Sequence, residues 1–406
     1  MGNTKITYCY KSDTYSVNAI NHLFRYISAI SGIDFVWNDV SPIVSNVEAS
    51  QAAKYYISDK NDPISRIASQ ITASFKMGPY SNEKHQPSDE QLLSENIKAF
   101  VDQLKQAAII PQTQPAISIW PDAARFSVAI THDVDILRRT ILGGLRLWAN
   151  GHLPGGLRAV SDSIKWRLGL NRNPYNCIEL WQKLENDKGL KSTFFIFAGT
   201  RQHCFDPVYQ TSWIPRKQII DRSISLHCSI GCYMGQGLCE PKNQLESLAK
   251  TKVLGIRPHY LSAYLPEFWQ AAYDSGFEYS STLGIDDAIG FIRGIDLPYY
   301  PFNTATDSPL KILEIPIAIM DCGLIRNSDA LADEILSKGS TLIRRSSQSG
   351  GLIVLDWHQR TLYNRDYPGW GKLFENLIDF AKNAKAHFTT LEEINSLMKS
   401  RFDAVK

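Results

Sequence analysis

Asp133 and Asp135 are separated by one residue in the sequence THDVD, which follows the apolar run of residues 125–130. The run predicts a buried strand, and side chains two residues apart in a strand project from the same face. Two neighbouring carboxylates repel each other unless a cation or a shared proton relieves the cost. A metal ligand beside a general base would meet that condition. The alternative is that Asp135 is the N-cap of a helix that begins at Ile136.

Other apolar runs of the chain also end in polar residues. Three of the nine histidines stand at such ends, namely His227, His259 and His358. Arg257 and Asp321 stand at the ends of apolar runs as well. A single histidine at a strand end is more often structural than functional. Three histidines together with an Asp-x-Asp pair and an arginine point to one site.

These residue types suit one kind of chemistry. A carboxylate with two imidazoles is a ligand set for a divalent metal such as zinc, with positions left for water and substrate. The metal lowers the pKa of bound water towards neutrality, and a nearby carboxylate can then accept its proton. An imidazole on the far side can protonate a leaving group. The set therefore predicts metal-assisted hydrolysis of an amide or ester.

The elements that would position these residues alternate between strand and helix from about residue 116 onwards. The predicted strands span residues 126–131, 192–197, 224–227, 254–257, 313–320, 352–357 and 387–390, and helices lie between most of them, for example 177–187, 243–251, 266–274 and 373–381. This alternation predicts an α/β fold with a parallel sheet, and about seven such units can close a barrel. Chemistry in such folds lies at the C-terminal ends of the strands, where the polar residues stand.

The first part of the chain is predicted to be a separate, smaller α/β domain of residues 1–115, followed by the barrel domain of residues 116–406. Residues 6–10 and 55–57 are predicted strands, and residues 17–30 form a predicted amphipathic helix. We find no catalytic cluster in this part, and we assign it no role.

The order of the segments resembles the polysaccharide deacetylases, which are the NodB-homology carbohydrate esterases. The segments are THDVD (131–135), STFF (192–195), SLH (225–227), RPHY (257–260), EIPI (314–317) and LDWH (355–358). The resemblance extends over about residues 120–395. It is strongest to a branch with an extra N-terminal domain, found among bacterial surface-polysaccharide genes. It implies an irregular (β/α) barrel for the second domain.

The resemblance implies a catalytic base at Asp133 and a metal site with two departures from the family's pattern. The family's second, adjacent Asp is absent, so the metal carboxylate moves to Asp135, which keeps both acids on one strand face. His227 matches the first histidine of the family's second motif, whereas Gly231 stands where the second histidine is usual. We expect His259 to be the replacement ligand because it stands at a strand end. The donor set of one acid and two imidazoles makes zinc the expected metal.

Other roles follow from the resemblance position by position. Arg257 matches the arginine that holds the catalytic base. The backbone N–H of Tyr260 matches the oxyanion donor, which stabilises charge that develops on a tetrahedral intermediate. His358 matches the general acid, and Asp321 matches the carboxylate that orients its imidazole. Asp356 could compete for that orienting role or could be a solvated residue at the strand end.

Composition narrows the class of protein. The 406 residues are 44% hydrophobic and 21% charged with a net charge of +2, which is typical of a globular protein and gives no general attraction to nucleic acid. The first twenty residues lack a secretory h-region, and no apolar run is long enough to span a bilayer. Seven irregularly spaced cysteines predict free thiols in a reducing compartment, so we expect a cytoplasmic protein.

Cys232 is an alternative third metal ligand, although a buried small hydrophobe is the simpler interpretation.

Residues 136–172 carry a charge bias, with seven basic side chains and one acid, Asp162, for a local balance of +6. Leu157, Val160, Ile164 and Leu168 follow helical spacing. Basic amphipathic helices often lie on anionic membranes or bind anionic groups. The alternative is a solvated face packed on the barrel. Because the segment follows THDVD directly, we expect it to overhang the site and to engage a lipid-linked or anionic glycan, with peripheral contact to the inner membrane surface.

Three functions are compatible with the sequence. The first is a metal-dependent deacetylase that acts on an N-acylated sugar of a bacterial surface polysaccharide or its precursor. The second is a non-catalytic, glycan-binding member of the family, which the missing second histidine of the usual pair leaves open. The third is a scaffold subunit of a polysaccharide biosynthesis system. A pure binder has no need of a base, its holder and an acid together, and this favours the enzyme.

Overall fold

The computed structural model describes residues 5–8, 15–37, 45–46, 62–77, 85–87, 91–138, 153–170, 173–220, 222–321, 324 and 332–405. The first part contains β1 (Lys5–Tyr8), α1 (Val17–Ser31), β2 (Asp34–Trp37), β3 (Ser45–Asn46), α2 (Pro63–Ile71), β4 (Phe75–Met77) and α3 (Leu93–Gln106). β1 pairs in parallel with β2 and antiparallel with β3, so this part mixes helices with a small sheet. The predicted strand at 6–10 and helix at 17–30 correspond to β1 and α1, whereas the predicted strand at 55–57 lies outside the described residues.

The second part carries the main sheet and its helices. In chain order it contains β5 (Ser127–Val134), α4 (Leu153–Arg167), α5 (Ile178–Asp187), β6 (Ser192–Phe197), β7 (Ser223–Cys228), α6 (Cys239–Ala249), β8 (Gly255–Pro258), β9 (Ala263–Leu265), α7 (Glu267–Asp274), β10 (Tyr279–Ser280), β11 (Phe302–Asn303), β12 (Ser308–Pro309), β13 (Leu313–Glu314), β14 (Ile319–Met320), α8 (Ala332–Ser349), β15 (Leu352–Asp356), α9 (Trp370–Asn383), β16 (His387–Thr389) and α10 (Leu391–Ala404). Every residue of β5, β6 and β15 is buried, as expected for parallel strands covered on both faces.

The main sheet is a parallel sheet of eight strands in the order β13-β10-β8-β7-β6-β5-β15-β14, curled into a half-barrel. β16 pairs with residues 127–129 of β5, while β6 pairs with residues 130–134 on the same edge of that strand. The α/β fold class and the barrel-like parallel sheet predicted from the sequence are confirmed. The C-terminal ends of β5, β7, β8, β14 and β15 all meet at one end of the sheet.

The predicted strand at residues 313–320 is wrong as a single strand. β13 and β14 stand at opposite edges of the half-barrel, and the chain between them spans its opening. Ile315 N–H donates to the carbonyl of Ser280 at 2.8 Å, and Ala318 N–H donates to that of Val354 at 2.9 Å. Pro316 in this span has no N–H to donate to a ladder, so one continuous strand is not possible here. The two-residue strand β10 was not predicted.

The described residues before 115 pack on the sheet domain at several points. Ser94 donates from its backbone N–H and from its hydroxyl to Asp296, at 2.8 and 2.6 Å. The guanidinium of Arg345 on α8 binds Glu95 on α3 through two nitrogens, at 2.7 and 2.8 Å. One continuous set of buried apolar side chains extends through both parts. The division of the chain near residue 115 stays a prediction.

Candidate active site

The end of β5 places the two acids of THDVD on the same face. Asp133 is in the strand and Asp135 follows its last residue, and their carboxylates lie 3.9 and 3.2 Å from His227 Nε2. Asp133 and Asp135 are buried, and the residue between Thr131 and Asp133, His132, points to the other face. There His132 Nε2 lies 2.7 Å from a carboxylate oxygen of the buried Glu185. Residues 136–138 are not helical, so Asp135 does not cap a helix in the described part of the chain. The shared face predicted from the spacing is confirmed.

Asp135, His227 and His259 come together from three different strand ends. Their ligand atoms all lie within 4.8 Å of one another, and all three residues are buried. Asp135 Oδ1 is 3.2 Å from His227 Nε2 and 3.5 Å from His259 Nε2. Sequence reasoning predicted this set as metal ligands, and the fold brings the three side chains to one point.

Three atoms of this set are buried without a hydrogen-bond partner among the described residues: Asp135 Oδ1, His227 Nε2 and His259 Nδ1. Nδ1 of His227 lies 3.1 Å from the backbone carbonyl of Arg257, to which it can only donate. Nδ1 therefore carries a proton, and Nε2 is the ring nitrogen that faces Asp135. A buried carboxylate oxygen and a buried imidazole nitrogen that meet without a hydrogen bond are costly to the protein alone. A divalent cation fits these donors, and a carbonyl behind the histidine is the usual support of a metal ligand.

Asp206 lies beside His259 at ion-pair distance, and sequence reasoning did not predict it. Its Oδ1 lies 3.7 Å from His259 Nδ1, and it is held by backbone N–H groups of Gln202, His203 and Ile230, each at 2.9 Å, and by the Ser229 hydroxyl. Burial lowers the pKa of His259, but the carboxylates of Asp135 and Asp206 raise it more, to about 9. Burial raises the pKa of Asp206, but its hydrogen bonds together lower that pKa by more, so the acid stays ionised. The field around His259 is negative and suits a cation.

Arg257 is fully buried and binds Asp133, as predicted. Its Nη1 lies 2.7 Å from Asp133 Oδ1 and 2.8 Å from Asp356 Oδ1. Its Nε donates to the carbonyl of Ser281 at 2.9 Å, and its guanidinium lies 3.9 Å from the centroid of the Phe195 ring. Burial opposes ionisation of Asp133, but the charges of Arg257, His227 and His358 together outweigh it and lower the pKa of that carboxyl. Asp133 is therefore an ionised, oriented carboxylate.

Both interpretations of Asp356 were wrong. The side chain is completely buried, so it is not a solvated end of the strand, and its hydrogen bonds are to Arg257 and to the hydroxyl of Thr131. Burial and the neighbouring Asp133 raise the pKa of Asp356 to about 6. The apolar run of β15 continues to Leu355, so the strand carries Asp356 into the interior rather than to the surface.

His358 and Asp321 form the predicted pair. His358 Nδ1 lies 2.6 Å from Asp321 Oδ1, and the backbone N–H of His358 donates to Asp321 Oδ2 at 3.0 Å. These two contacts fix the ring, and its Nε2 lies 3.0 Å from Asp135 Oδ2. His358 thus faces Asp135 Oδ2, whereas His227 and His259 face Asp135 Oδ1.

Arg360 is a further site residue that sequence reasoning missed. Its Nη1 lies 3.2 Å from Asp135 Oδ2. The available signal was its position two residues after His358 at the same strand end. Arg360 adds positive charge at the edge of the cluster that faces away from His227.

Two other predicted residues lie close by. Tyr260 has a left-handed backbone (φ 57°, ψ 22°), and its ring is partly exposed and packs 4.7 Å from the ring of His259, centroid to centroid. The role of its backbone N–H stays a prediction. Cys232 is buried, its Sγ accepts from Gln202 at 3.6 Å, and it is not among the clustered ligand atoms of the described residues.

A cavity of about 320 Å³ adjoins Asp135. Its wall includes Trp166, Trp213, Arg138 and Arg167. The guanidinium of Arg138 lies over both indoles, 3.6 Å from the centroid of Trp213 and 5.2 Å from that of Trp166. The cavity therefore offers flat aromatic surface and positive charge immediately beside the cluster.

Comparison with known proteins gives matches among solved structures. One is a proposed polysaccharide deacetylase from Mycobacterium smegmatis, with 16% identity, a TM-score of 0.46 and coverage of 70% of this chain and 93% of that chain. Another is Puue allantoinase, with 16% identity, a TM-score of 0.45 and coverage of 69% and 92%. A third is a mutant of a CE4 family pseudoenzyme with restored enzymatic activity, with 10% identity, a TM-score of 0.33 and coverage of 73% and 84%. No protein-family model and no curated protein matches the chain.

Proposed function

We propose that this chain is a metal-dependent hydrolase that removes an acyl group, specifically N-acetyl, from a sugar of a bacterial surface polysaccharide or of its precursor. The observation that carries the proposal is the pair of buried, unpartnered donors, Asp135 Oδ1 and His227 Nε2, which converge with His259. Asp133, the proposed base, and His358, the proposed acid, are both held in fixed orientations next to this point. A structural cluster would need neither the open donors nor both proton-transfer groups.

Asp135, His227 and His259 would hold the metal, for which zinc suits the donor types. When bound, a divalent cation supplies Lewis acidity, which makes water more acidic and polarises an acyl carbonyl. Two imidazole nitrogens and one carboxylate oxygen leave further coordination positions for water and substrate. Asp206 behind His259 and the Arg257 carbonyl behind His227 would orient the two rings.

Asp133 would accept the proton of the attacking water. Arg257 keeps the carboxylate ionised and fixes Oδ1, while Asp133 Oδ2 lies 3.9 Å from His227 Nε2 on the side of the metal ligands. A base held in one orientation loses no freedom when the reaction begins, which is the source of general-base efficiency. The partner of Arg257 on its other side, Asp356, would keep the guanidinium in place.

His358 would give a proton to the departing sugar amine. An amine is a poor leaving group unless it is protonated, and an imidazole can carry that proton near neutral pH. Asp321 holds Nδ1, so that Nε2 is the nitrogen that exchanges the proton. The backbone N–H of Tyr260 would donate to the oxyanion of the tetrahedral intermediate.

The adjoining cavity supports a sugar substrate. Trp166 and Trp213 line the cavity beside the guanidinium of Arg138, which lies over both indoles and can bind an acidic substituent of a sugar. The volume of about 320 Å³ is at the small end of ligand sites, which suits a single sugar unit beside the acyl group.

Acyl release in the presence and absence of metal tests the proposal. The full chain is loaded with zinc and incubated with a panel of N-acetylated oligosaccharides and sugar phosphates, and free acetate is measured. We expect acetate from at least one member, loss of release after chelation, and recovery when zinc is restored. Glycan binding without acetate release under zinc would support the non-catalytic function and contradict the enzyme.

A cytoplasmic location is part of the proposal. The cysteines that the structure describes are free thiols: Cys177, Cys204, Cys228, Cys232 and Cys239. Unpaired cysteines are the rule in reducing compartments. Among the described helices, none has the length and apolar character needed to cross a membrane.

A further inference from the structure

Helix α4 turns large apolar side chains towards solvent. Leu157, Ile164 and Leu168 are 59%, 44% and 67% exposed. Spacings of seven and four residues place them on one face of the helix. Isolated exposed leucines are common on protein surfaces, but three on one helical face form a continuous apolar stripe.

Among the α4 side chains that the structure describes, the buried ones are polar: Asp162 and Ser163. Asp162 accepts from the hydroxyl of Tyr363 at 3.0 Å and from Arg365 Nη1 at 3.0 and 2.9 Å. The helix is thus attached to the domain through an ion pair and hydrogen bonds, with its leucines outside. This is the reverse of a surface helix that packs on a core.

The apolar stripe continues beyond the end of the helix. Leu168 N–H donates to the carbonyl of Ile164 at 3.0 Å, and Leu170 N–H donates to that of Lys165 at 2.9 Å. Gly169 has the left-handed backbone (φ 71°) that this helix ending requires. Leu170 is 69% exposed, so a fixed turn rather than a loose tail holds it on the surface.

The stripe has positive charge along its border. Lys165 and Arg167 are exposed. The one acid in residues 136–172 is Asp162, and Arg365 neutralises it. The surface here therefore combines exposed leucines with basic side chains and has no exposed acid of its own segment to oppose an anion.

We propose that this surface, the α4 face, docks on a membrane that contains anionic lipids. The α4 face is defined as Leu157, Ile164, Leu168, Leu170, Lys165 and Arg167. Its leucines would enter the boundary between headgroups and acyl chains, and its basic side chains would contact lipid phosphates. Charge complementarity selects an anionic bilayer over a second copy of this face, which would bring like charges together.

Docking there would present the active site to the bilayer. Trp166 and Arg167 line the cavity beside Asp135 and belong to the same helix as the α4 face. A sugar attached to a membrane lipid could therefore reach the cavity without leaving the bilayer surface. This inference goes beyond the proposed hydrolysis, because membrane docking would occur with or without turnover.

Vesicle sedimentation with the full chain tests the proposal. We expect the protein to sediment with phosphatidylcholine vesicles that contain phosphatidylglycerol and to stay in solution with pure phosphatidylcholine. The double variant Ile164→Ser with Leu168→Ser should lower the partition coefficient at least about tenfold. Lys165→Gln and Arg167→Gln should each lower it about fivefold. Leu180→Ser on α5, a leucine that is 49% exposed, is the matched control and should bind like the unchanged protein.

Several results would overturn the proposal. They are equal partition into both kinds of vesicle, no binding to either, or unchanged binding of the serine double variant. If the unchanged protein bound no vesicles but formed dimers that the double variant abolished, the α4 face would be an interface between copies. The substituted side chains are exposed, so unfolding midpoints should match in all variants. Acetate release from a water-soluble substrate is measured separately, so failure of docking and failure of hydrolysis are distinguishable.

Discussion

The two buried carboxylates at the end of β5, Asp133 and Asp135, differ in how their hydrogen bonds are satisfied. On one side, Asp133 receives the guanidinium of Arg257, which also binds Asp356 and Ser281. On the other side, Asp135 Oδ1 meets two imidazoles and has no hydrogen-bond partner among the described residues. A satisfied polar cluster holds a geometry, whereas an unsatisfied one marks a place for a ligand. From this difference we propose that Asp133 is the base and that Asp135 is the metal ligand.

Asp356 Oδ2 is also without a partner in the described part of the chain, but its situation differs. Burial and the charge of Asp133 raise the pKa of Asp356 to about 6, which favours a proton on this group. The pKa of Asp135, in contrast, lies well below its usual range, because His259 and His358 outweigh the effect of burial. Asp356 lies against the guanidinium of Arg257, whereas we propose that the unpaired oxygen of Asp135 binds a cation.

The largest expected effect is loss of metal from the unsatisfied side. His259→Ala should abolish retention of zinc, and hydrolysis with it, because one of three ligands is removed. Metal content after dialysis measures the loss. His387→Ala on β16 is the control, since this histidine pairs beside Ser127 at the other end of β5 and should leave zinc bound. Full zinc occupancy in His259→Ala would show that His259 is not a ligand.

Next in size is removal of the base on the satisfied side. Asp133→Asn should retain zinc and lose about 10²- to 10⁴-fold in turnover, because the proton acceptor is gone while the ligands remain. Asp187→Asn, at an exposed acid on α5, is the matched control and should leave turnover unchanged. Normal turnover of Asp133→Asn on a confirmed substrate would rule out Asp133 as the base.

His358 and Asp321 should behave as a unit. His358→Ala should lose activity with metal and fold intact, and Asp321→Asn should show a smaller loss, because the orientation of the ring rather than the ring itself is changed. The losses should not multiply in the double variant, since both residues serve one proton transfer. Kinetics of the two single variants and the double variant measure this. A double loss equal to the product of the single losses would contradict the pairing.

The smallest expected effect concerns the support of His259. Asp206→Asn should weaken zinc binding about 10- to 100-fold, as is typical of a residue that orients a metal ligand. Competition with a fluorescent chelator measures the affinity, and the unfolding midpoint of the chelated protein checks that the loop of Asp206 is intact. An unchanged affinity with an unchanged midpoint would mean that Asp206 does not orient His259.

The parts of the site that could be predicted depend on short-range pattern and strand order. Apolar runs locate β5, β7 and β15, and parallel strands bring their C-terminal ends together, so Asp133, His227 and His358 could be assigned to one site. Asp206 could not, because it lies in an irregular stretch between β6 and β7 that has no periodicity. Its contact with His259 depends on how that stretch folds over the sheet end.

Other misses have a similar origin. The run of residues 313–320 is apolar throughout most of its length, and such a pattern cannot indicate that its two ends join opposite edges of an open barrel. The burial of Asp356 could not be predicted, because the sequence around an acid at a strand end does not show whether its partner is solvent or a buried arginine. Gly231 gave a useful signal instead. Because it stands where the family's second histidine is usual, another ligand had to be sought, and His259, the residue chosen, lies with Asp135 and His227.

The most direct measurement of the central claim, that Asp135, His227 and His259 bind one divalent ion, is X-ray absorption at the zinc edge of the metal-loaded protein. We expect nitrogen and oxygen neighbours at about 2.0–2.1 Å. We also expect the multiple-scattering pattern of two imidazoles, reduced to one in His227→Ala. A sulfur neighbour at about 2.3 Å, which would assign Cys232 as a ligand, or a zinc spectrum without imidazole would contradict it.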